Sequence, residues 1–274
     1  MMSSWKSIVV MDGSRLSTNT EYWAGGRRSA ILNVTAVLSA VLAAWAVPAA
    51  AHHTQPHQEA VQAARAALVE KKDPQQVKRL LEGLWAEQPA DSETPYLLGV
   101  AYFLLYDPDK ALALFEACLA NEARSGDSPR RLECLYWSGR AGAMKAALAW
   151  HYRESLVDGL VKSRRAIRAA LDRYEQVLAK APDHVGAMLS QAEYYMAAPY
   201  LPPMAYGDVT KARALVARAL ALEADNPRAH YLQARLDLYY NGRRDQARTG
   251  YVRVRQLLER GVGGAEAVLL RRWV

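Results

Sequence analysis

The chain has 274 residues, of which 51% are hydrophobic, and a formal net charge of +7 at pH 7. This hydrophobic content excludes an intrinsically disordered protein, and the basic and acidic residues are interspersed rather than gathered into a stripe that would bind nucleic acid. Ala, Leu, Arg and Glu are abundant whereas Phe occurs only twice, so we expect an all-α protein.

The first 51 residues have the layout of an export signal. Arg27 and Arg28 precede an uncharged stretch, residues 30–47, and small residues lead to a cleavage position after Ala51. The stretch is also just long enough to span a bilayer, so an uncleaved anchor in the inner membrane is the alternative to a cleaved signal peptide. The arginine pair is compatible with both the general and the twin-arginine export route. In each case we expect a periplasmic protein.

Residues 52–58 are polar, and we expect a disordered linker there. Cleavage after Ala49 would place His52 third in the mature chain, where its imidazole and the backbone nitrogens can bind Cu(II) or Ni(II). His53 is the adjacent candidate ligand. The alternative is a polar terminus that binds no metal. We expect no metal site and no cofactor.

An apolar pattern that recurs after 34 residues marks the first part of the chain that we expect to fold. The stretch LLGVAYFLLYDPDKALALFEAC, residues 97–118, places Tyr102 in one predicted helix and Ala111 and Phe115 in the next. Small residues in this pattern let two helices approach, and large ones fill the space to the next pair. Moving back 34 residues from these three positions reaches Leu68, Val77 and Leu81, which are again apolar.

This pattern resembles the tetratricopeptide repeat (TPR), in which a helical hairpin recurs every 34 residues. The resemblance covers residues 58–258, although Pro95 stands where the family prefers Trp. It implies a right-handed α-solenoid of about five hairpins over residues 59–260, followed by a capping tail. It also implies a scaffold that binds protein partners.

Two spacings depart from 34 residues. Cys118 and Val177 occupy equivalent positions 59 residues apart, which predicts an expanded third hairpin with helices over roughly residues 130–150 and 163–180 and an irregular piece around 152–161. The residue order over 137–212 resembles that of exported bacterial tetratricopeptide proteins and, more distantly, that of the T component of tripartite ATP-independent periplasmic (TRAP) transporters.

The second departure predicts an enlarged loop at residues 198–208. Ala170 and Ala212 are equivalent but 42 residues apart, so eight extra residues lie between them. Tyr200, Met204 and Tyr206 make this loop apolar, and it either plugs the core of its own hairpin or forms a lip over a binding groove.

The first helix of each hairpin is expected to line a concave groove. Aromatic side chains bury a large area at low entropic cost, and arginine can bind a carboxylate through two hydrogen bonds. Because a shift of one residue rotates a side chain by about 100° around a helix, the alternative is that these positions face the core. The candidate partner-binding residues are Tyr96, Phe103, Tyr136, Arg140, Met144, Met196, Arg228, Tyr231, Arg235 and Tyr239.

Cys118 and Cys134 are the two cysteines of the chain and lie on successive predicted helices. In an oxidising compartment a disulfide between them is geometrically feasible, and two buried thiols are the alternative. Two cysteines without matching histidines do not make a zinc site.

The tail, residues 261–274, begins with three glycines that indicate a helix stop. Val268, Leu269 and Trp273 predict an end cap, with a docking tail as the alternative. The sequence contains no nucleophile elbow, phosphate-binding glycine loop or HExxH motif, so we expect no enzyme.

The expected function is a non-enzymatic scaffold in the bacterial cell envelope that binds a segment of a partner protein in its groove. The resemblance to the transporter component implies an alternative, an accessory protein that holds a small apolar or anionic ligand. A third interpretation is a structural homo-oligomer whose subunits fill one another's grooves.

Overall fold

The computed structural model describes residues 48–87, 91–123, 128–152, 155–197 and 207–273. The described residues contain helices and turns and no strand.

The chain divides into two compact units. The first, Met1–His53, is described only from Pro48 onward, and the second comprises Thr54–Val274. The helical repeats lie in the second unit.

Eleven α-helices succeed one another along the described residues. A π-helix, Ala67–Lys71, separates the first two, and a 3-10 helix, Gly264–Glu266, precedes the last. The α-helices are α1 Pro48–Ala66, α2 Pro74–Glu87, α3 Glu93–Leu104, α4 Pro108–Glu122, α5 Pro129–His151, α6 Leu156–Lys180, α7 Val185–Ala197, α8 Val209–Leu222, α9 Pro227–Tyr239, α10 Arg244–Glu259 and α11 Ala267–Trp273.

Neighbouring helices pack as hairpins: α3 with α4, α5 with α6, α7 with α8 and α9 with α10, while the π-helix packs on α2. The first helices also contact one another, α3 with α5, α5 with α7 and α7 with α9. They therefore form one row along the inside of a solenoid. The prediction of an all-α solenoid of helical hairpins is confirmed.

Four helices begin in the same way, with a polar side chain followed by proline. Asp73, Asp107, Ser128 and Asn226 precede α2, α4, α5 and α9, and the side chain of each accepts a hydrogen bond from the backbone N–H three residues later. Proline at the first helical position lacks an N–H that would in any case have no partner in the helix. These sequence features fix where the helices start.

The start of α7 is capped by a histidine. The backbone N–H of Ala187 donates to Nδ1 of His184 at 3.1 Å. The neighbouring Asp183 accepts a hydrogen bond from Arg218 on α8 at 2.7 Å. The imidazole performs the capping because its nitrogen can accept an N–H as a carboxylate oxygen does.

The hairpins are close-packed where the repeat pattern places small residues. A Cβ atom added at Gly99 would lie 2.7 Å from the Phe115 ring, and one added at Gly139 would lie 2.6 Å from the Tyr174 ring. Ala111 and Phe115 are fully buried, as the repeat predicts. Glycine on a first helix thus makes room for an aromatic ring from a second helix.

Two boundaries differ from the sequence interpretation. Residues 52–58, expected as a disordered linker, lie within α1, because alanine and glutamine favour helix there despite Pro56. In the third hairpin, α6 begins at Leu156 rather than near residue 163, since Ser155 caps it by accepting from the N–H of Asp158 at 3.1 Å. The expanded hairpin is therefore built from two long helices.

A disulfide joins Cys118 on α4 to Cys134 on α5, linking the second hairpin to the third. Within the described ranges, no helix combines the length and the apolar character needed to cross a bilayer.

Candidate partner-binding groove

A cavity of about 1010 Å³ lies along the inner row of helices. Every hairpin contributes to it through its first helix or the turn next to it. Residues from the C-terminal segment, 262–270, form part of its wall. Its apolar lining includes Leu68, Val69, Tyr96, Leu97, Val100, Tyr136, Trp137, Val185, Leu189, Pro227 and Leu270.

Charged residues border this apolar lining. Glu93 forms ion pairs with Arg65 and, at 3.1 Å, with Arg130. The Arg130 guanidinium also lies 4.1 Å from the centre of the Tyr96 ring. Apolar lining with a charged border is the composition of a protein-binding surface, in which the centre is dry and the rim is polar.

In the wall of the cavity, the carboxylate of Glu266 contacts three side chains from two first helices. It accepts hydrogen bonds from the Tyr136 hydroxyl and from Nη1 of Arg140, both on α5. Nη1 of Arg228 on α9 lies 3.4 Å from each carboxylate oxygen. The C-terminal segment therefore places an anion between the third and fifth hairpins.

Arg228 is held by acceptors around its whole guanidinium. Its Nε and Nη2 donate to the two carboxylate oxygens of Glu193 at 3.3 and 2.7 Å. Nη2 also donates to the Ser190 hydroxyl at 3.0 Å, and Nη1 donates to the Tyr136 hydroxyl oxygen at 3.0 Å. Only 3% of Arg228 is exposed, so these bonds replace the water that the charge has lost.

Arg140 is surrounded by aromatic rings. Its guanidinium lies 5.0 Å from the Phe103 ring centre and 5.5 Å from that of Trp137. Its Nη1 donates to the Tyr136 oxygen at 3.2 Å as well as to Glu266. Cation–π contacts and one carboxylate thus stabilise a buried positive charge.

The pKa of the Glu266 carboxyl reflects two opposing effects, burial and the nearby arginine charges. Burial alone would raise this pKa, but the positive charges of Arg140 and Arg228 outweigh burial and lower it to about 2. Burial and the negative charge of Glu266 raise the pKa of Tyr136 to about 12, so its hydroxyl keeps its proton and donates it. The cluster brings the guanidiniums of Arg140 and Arg228 together with the carboxyl groups of Glu266 and Glu193.

Gly186 at the start of α7 makes room for Tyr136. A Cβ atom at this position would lie 2.7 Å from Cζ of Tyr136 and 2.8 Å from its hydroxyl oxygen. The ring also packs against His184, with ring centres 4.9 Å apart. The fourth hairpin thereby fixes the hydroxyl that bridges the two arginines and the carboxylate.

The C-terminal segment reaches both ends of the repeat array. The 3-10 helix Gly264–Glu266 contacts the π-helix of the first hairpin, and Nζ of Lys72 donates to the carbonyl of Gly261 at 3.2 Å. Leu269 belongs to the apolar cluster that extends from the first hairpin to Ala187 of the fourth, whereas Leu270 packs in a cluster with Leu258 of the last. The predicted end cap therefore contacts more than the end of the solenoid.

Four of the candidate residues belong to this site. Tyr96, Tyr136 and Arg228 line the cavity, and Arg140 lies behind Tyr136 with its charge directed to Glu266.

The other six candidates do not belong to the site. Phe103 and Met196 are fully buried core residues, so their assignment to the groove surface is wrong. The ring of Phe103 is covered by Trp137, and Met196 is enclosed in the apolar cluster of the fourth and fifth hairpins. Met144 packs against the main core, Tyr231 and Arg235 contact each other beyond the cavity, and Tyr239 is 61% exposed.

The loop residues Tyr200, Met204 and Tyr206 lie outside the described residues. Gly207 and Asp208, the described residues of that loop, border a second cavity of about 600 Å³ rather than the groove. His52 and His53 belong to α1, and the positions of their side chains are not described. Among the described residues, no group of three or more His, Cys, Asp or Glu is arranged to hold a metal ion.

The sequence reasoning missed Glu266 as a member of the site. Its position depends on the path of the C-terminal segment after the last repeat, and no repeat pattern extends there. A glutamate between a glycine turn and a pair of leucines was the available signal.

No protein-family model matches the chain, and no curated protein matches it. Solved structures do. TTC0263, a thermophilic TPR protein of Thermus thermophilus, is 22% identical, with 79% of this chain and 98% of that chain covered and a TM-score of 0.55. MamA is 17% identical with a TM-score of 0.42 over 69% of this chain and 91% of its own. Acl4, an assembly chaperone of RpL4, is 18% identical with a TM-score of 0.37 over 74% and 75%. From the first of these similarities, the chain has the all-α solenoid fold of TPR proteins.

Proposed function

We propose that this protein is a non-enzymatic scaffold of the bacterial cell envelope that binds a segment of a partner protein in its groove. The observation that carries the proposal is the cavity of about 1010 Å³, which the first helices of successive hairpins line with apolar and aromatic side chains. Concave surfaces of this kind are the usual binding face of helical solenoids.

The exposure of the lining supports a peptide-like partner. Val69 lines the cavity and is 51% exposed, so a partner that buries its side chain gains favourable hydrophobic free energy. Tyr96 also lines the cavity and carries the Arg130 guanidinium over its ring. An extended segment can bury apolar side chains on such a wall and pair its charges with the rim.

Two features support an extracytoplasmic location. The sequence of residues 1–51 has the layout of an export signal or an anchor. Cys118 and Cys134 are joined in a disulfide, a bond that persists in oxidising compartments such as the periplasm.

The test is crosslinking in the native envelope with the full chain, followed by direct binding measurements with the purified partner. Val69→Glu places a charge in the apolar lining and should abolish capture. Val252→Glu is the matched control, because Val252 is 49% exposed and lines neither cavity, and it should capture as the native chain does. Capture that survives Val69→Glu, or is lost equally with Val252→Glu, would contradict binding in the groove.

A small-ligand carrier is the second candidate, favoured by the way the C-terminal segment covers part of the cavity. A volume of about 1010 Å³ also lies at the upper end of the range of ligand sites. Native mass spectrometry of the exported protein distinguishes the two: a retained small molecule supports a carrier. The same spectrum reports a homo-oligomer, the third candidate.

A further inference from the structure

We propose that the partner segment bound in the groove presents a carboxylate, followed three and four residues later by apolar side chains, and that residues 262–270 are a displaceable copy of it. The proposal rests on the proposed function and names the chemistry of the partner. In the unbound protein, Glu266, Leu269 and Leu270 occupy the places of these three groups.

The charge of the site requires an anion as occupant. Glu193 neutralises one of the two buried guanidiniums, through its paired hydrogen bonds to Arg228. Without Glu266, one positive charge would remain among buried side chains, with the Tyr136 hydroxyl as its neighbour. Because an uncompensated buried charge is costly, whatever displaces Glu266 has to bring a negative charge of its own.

The apolar positions follow from the same segment. Leu269 and Leu270 come one helical turn after Glu266 and are each 2% exposed. Leu270 also lines the cavity. Residues three and four apart lie on one side of a helix, so one turn of helix places the carboxylate and Leu270 in the groove and buries Leu269 in the apolar core beside it. A partner with this spacing can make the same contacts.

The backbone of residues 262–270 allows the segment to be displaced from the groove. Gly261 and Gly263 have φ angles of +82° and +114°, which glycine adopts without strain, so the connection from α10 can turn in other directions. The helix that follows Glu266 has only seven residues, too short to be stable by itself. The cavity continues beside the segment, so a partner can begin to bind before Glu266 departs.

The experiment measures binding of a fluorescent synthetic peptide, GVGGAEAVLLRRWV, to the full chain by fluorescence anisotropy. This peptide is residues 261–274 supplied as a separate molecule. The attached segment competes at a high effective concentration, so the native chain should bind the peptide weakly. Glu266→Ala removes the anion of the competitor and should tighten peptide binding by about tenfold or more.

Three controls accompany this measurement. Glu259→Ala removes an exposed glutamate of α10 and should leave peptide binding at the native level. A peptide with Gln in place of its single Glu should lose about tenfold in affinity for the Glu266→Ala chain. Should Glu266→Ala fail to fold by circular dichroism, Glu266→Gln takes its place, since it keeps the shape of the side chain.

Equal affinity of the native and Glu266 variant chains for the peptide would overturn the proposal, as would indifference to the Gln peptide. A stable dimer with exchanged C-terminal segments would also overturn it, because the occupant would then be a second copy. These outcomes are separate from those of the crosslinking test: capture that depends on Val69, without peptide binding, leaves the scaffold function standing and refutes only this partner chemistry.

Discussion

The carboxylate of Glu266 forms an ion pair with Arg140, although 126 residues separate the two in the sequence. Arg140 lies on the inner helix of the third hairpin, and the same carboxylate faces Arg228 from the fifth. One side chain outside the repeats therefore compensates charge that the repeats bury.

The acid dependence of stability should depend on Glu266. Its pKa is lowered to about 2 in the folded protein from an ordinary value of 4.5, so the stabilisation is complete above the higher value and is lost as the pH falls towards the lower one. We expect the native chain to lose on the order of 3 kcal/mol more than Glu266→Gln between pH 5 and pH 2. Urea unfolding at a series of pH values measures this difference, and parallel curves for the two proteins would contradict it.

Tyr136→Phe should destabilise the protein by about 1–3 kcal/mol, because it removes the hydroxyl that donates to Glu266 and accepts from both arginines. Chemical denaturation at pH 7 measures the change. Tyr239→Phe is the control, since Tyr239 is 61% exposed and its substitution should cost less than about 0.5 kcal/mol. Similar costs at the two positions would argue against the bridging role.

Two glycine substitutions should have opposite effects. Gly139→Ala would bring a methyl group to 2.6 Å from the Tyr174 ring and should cost about 1–3 kcal/mol through overpacking. Gly83→Ala, on the exposed side of α2, meets nothing within 4 Å and should stabilise the protein by up to about 1 kcal/mol through helix propensity. Thermal unfolding of both variants measures the difference, and loss of stability in both would show that the close packing of Gly139 is not the cause.

Replacing Cys118 and Cys134 with alanine should lower the free energy of unfolding by about 3 kcal/mol, because the bond closes a loop between residues 16 apart in the unfolded chain. Dithiothreitol should reduce the stability of the native protein to a similar extent and leave the alanine variant unchanged. A native protein whose unfolding is insensitive to reductant would contradict the presence of the bond.

The repeat pattern was sufficient to predict the packing of the hairpins. Ala111, Phe115, Val77 and Leu81 are all fully buried, because their periodicity reflects contacts between helices close in sequence. The same register identified Tyr96, Tyr136 and Arg228 as inner residues.

Periodicity could not show which inner positions stay uncovered. Phe103 lies two turns after Tyr96 on the same helix, yet Trp137 and Arg140 of the next hairpin cover it. Whether such a position is groove or core depends on the side chains of another hairpin. Glu266 could not be predicted for a related reason. It lies in the C-terminal segment, which has no repeat pattern, so periodicity does not indicate which residues it contacts.

The contact between the π-helix Ala67–Lys71 and the 3-10 helix Gly264–Glu266 changes how this solenoid can come apart. In an open array each repeat touches only its neighbours, so either end can fray alone. Here the first hairpin contacts the C-terminal segment, so unfolding of either one removes contacts that stabilise the other. Folding is affected in the same way during synthesis: the first hairpin to leave the ribosome cannot complete its packing until residues 264–270 have emerged after it. The first hairpin therefore completes its packing last, when residues 264–270 or a bound copy of them supply this contact.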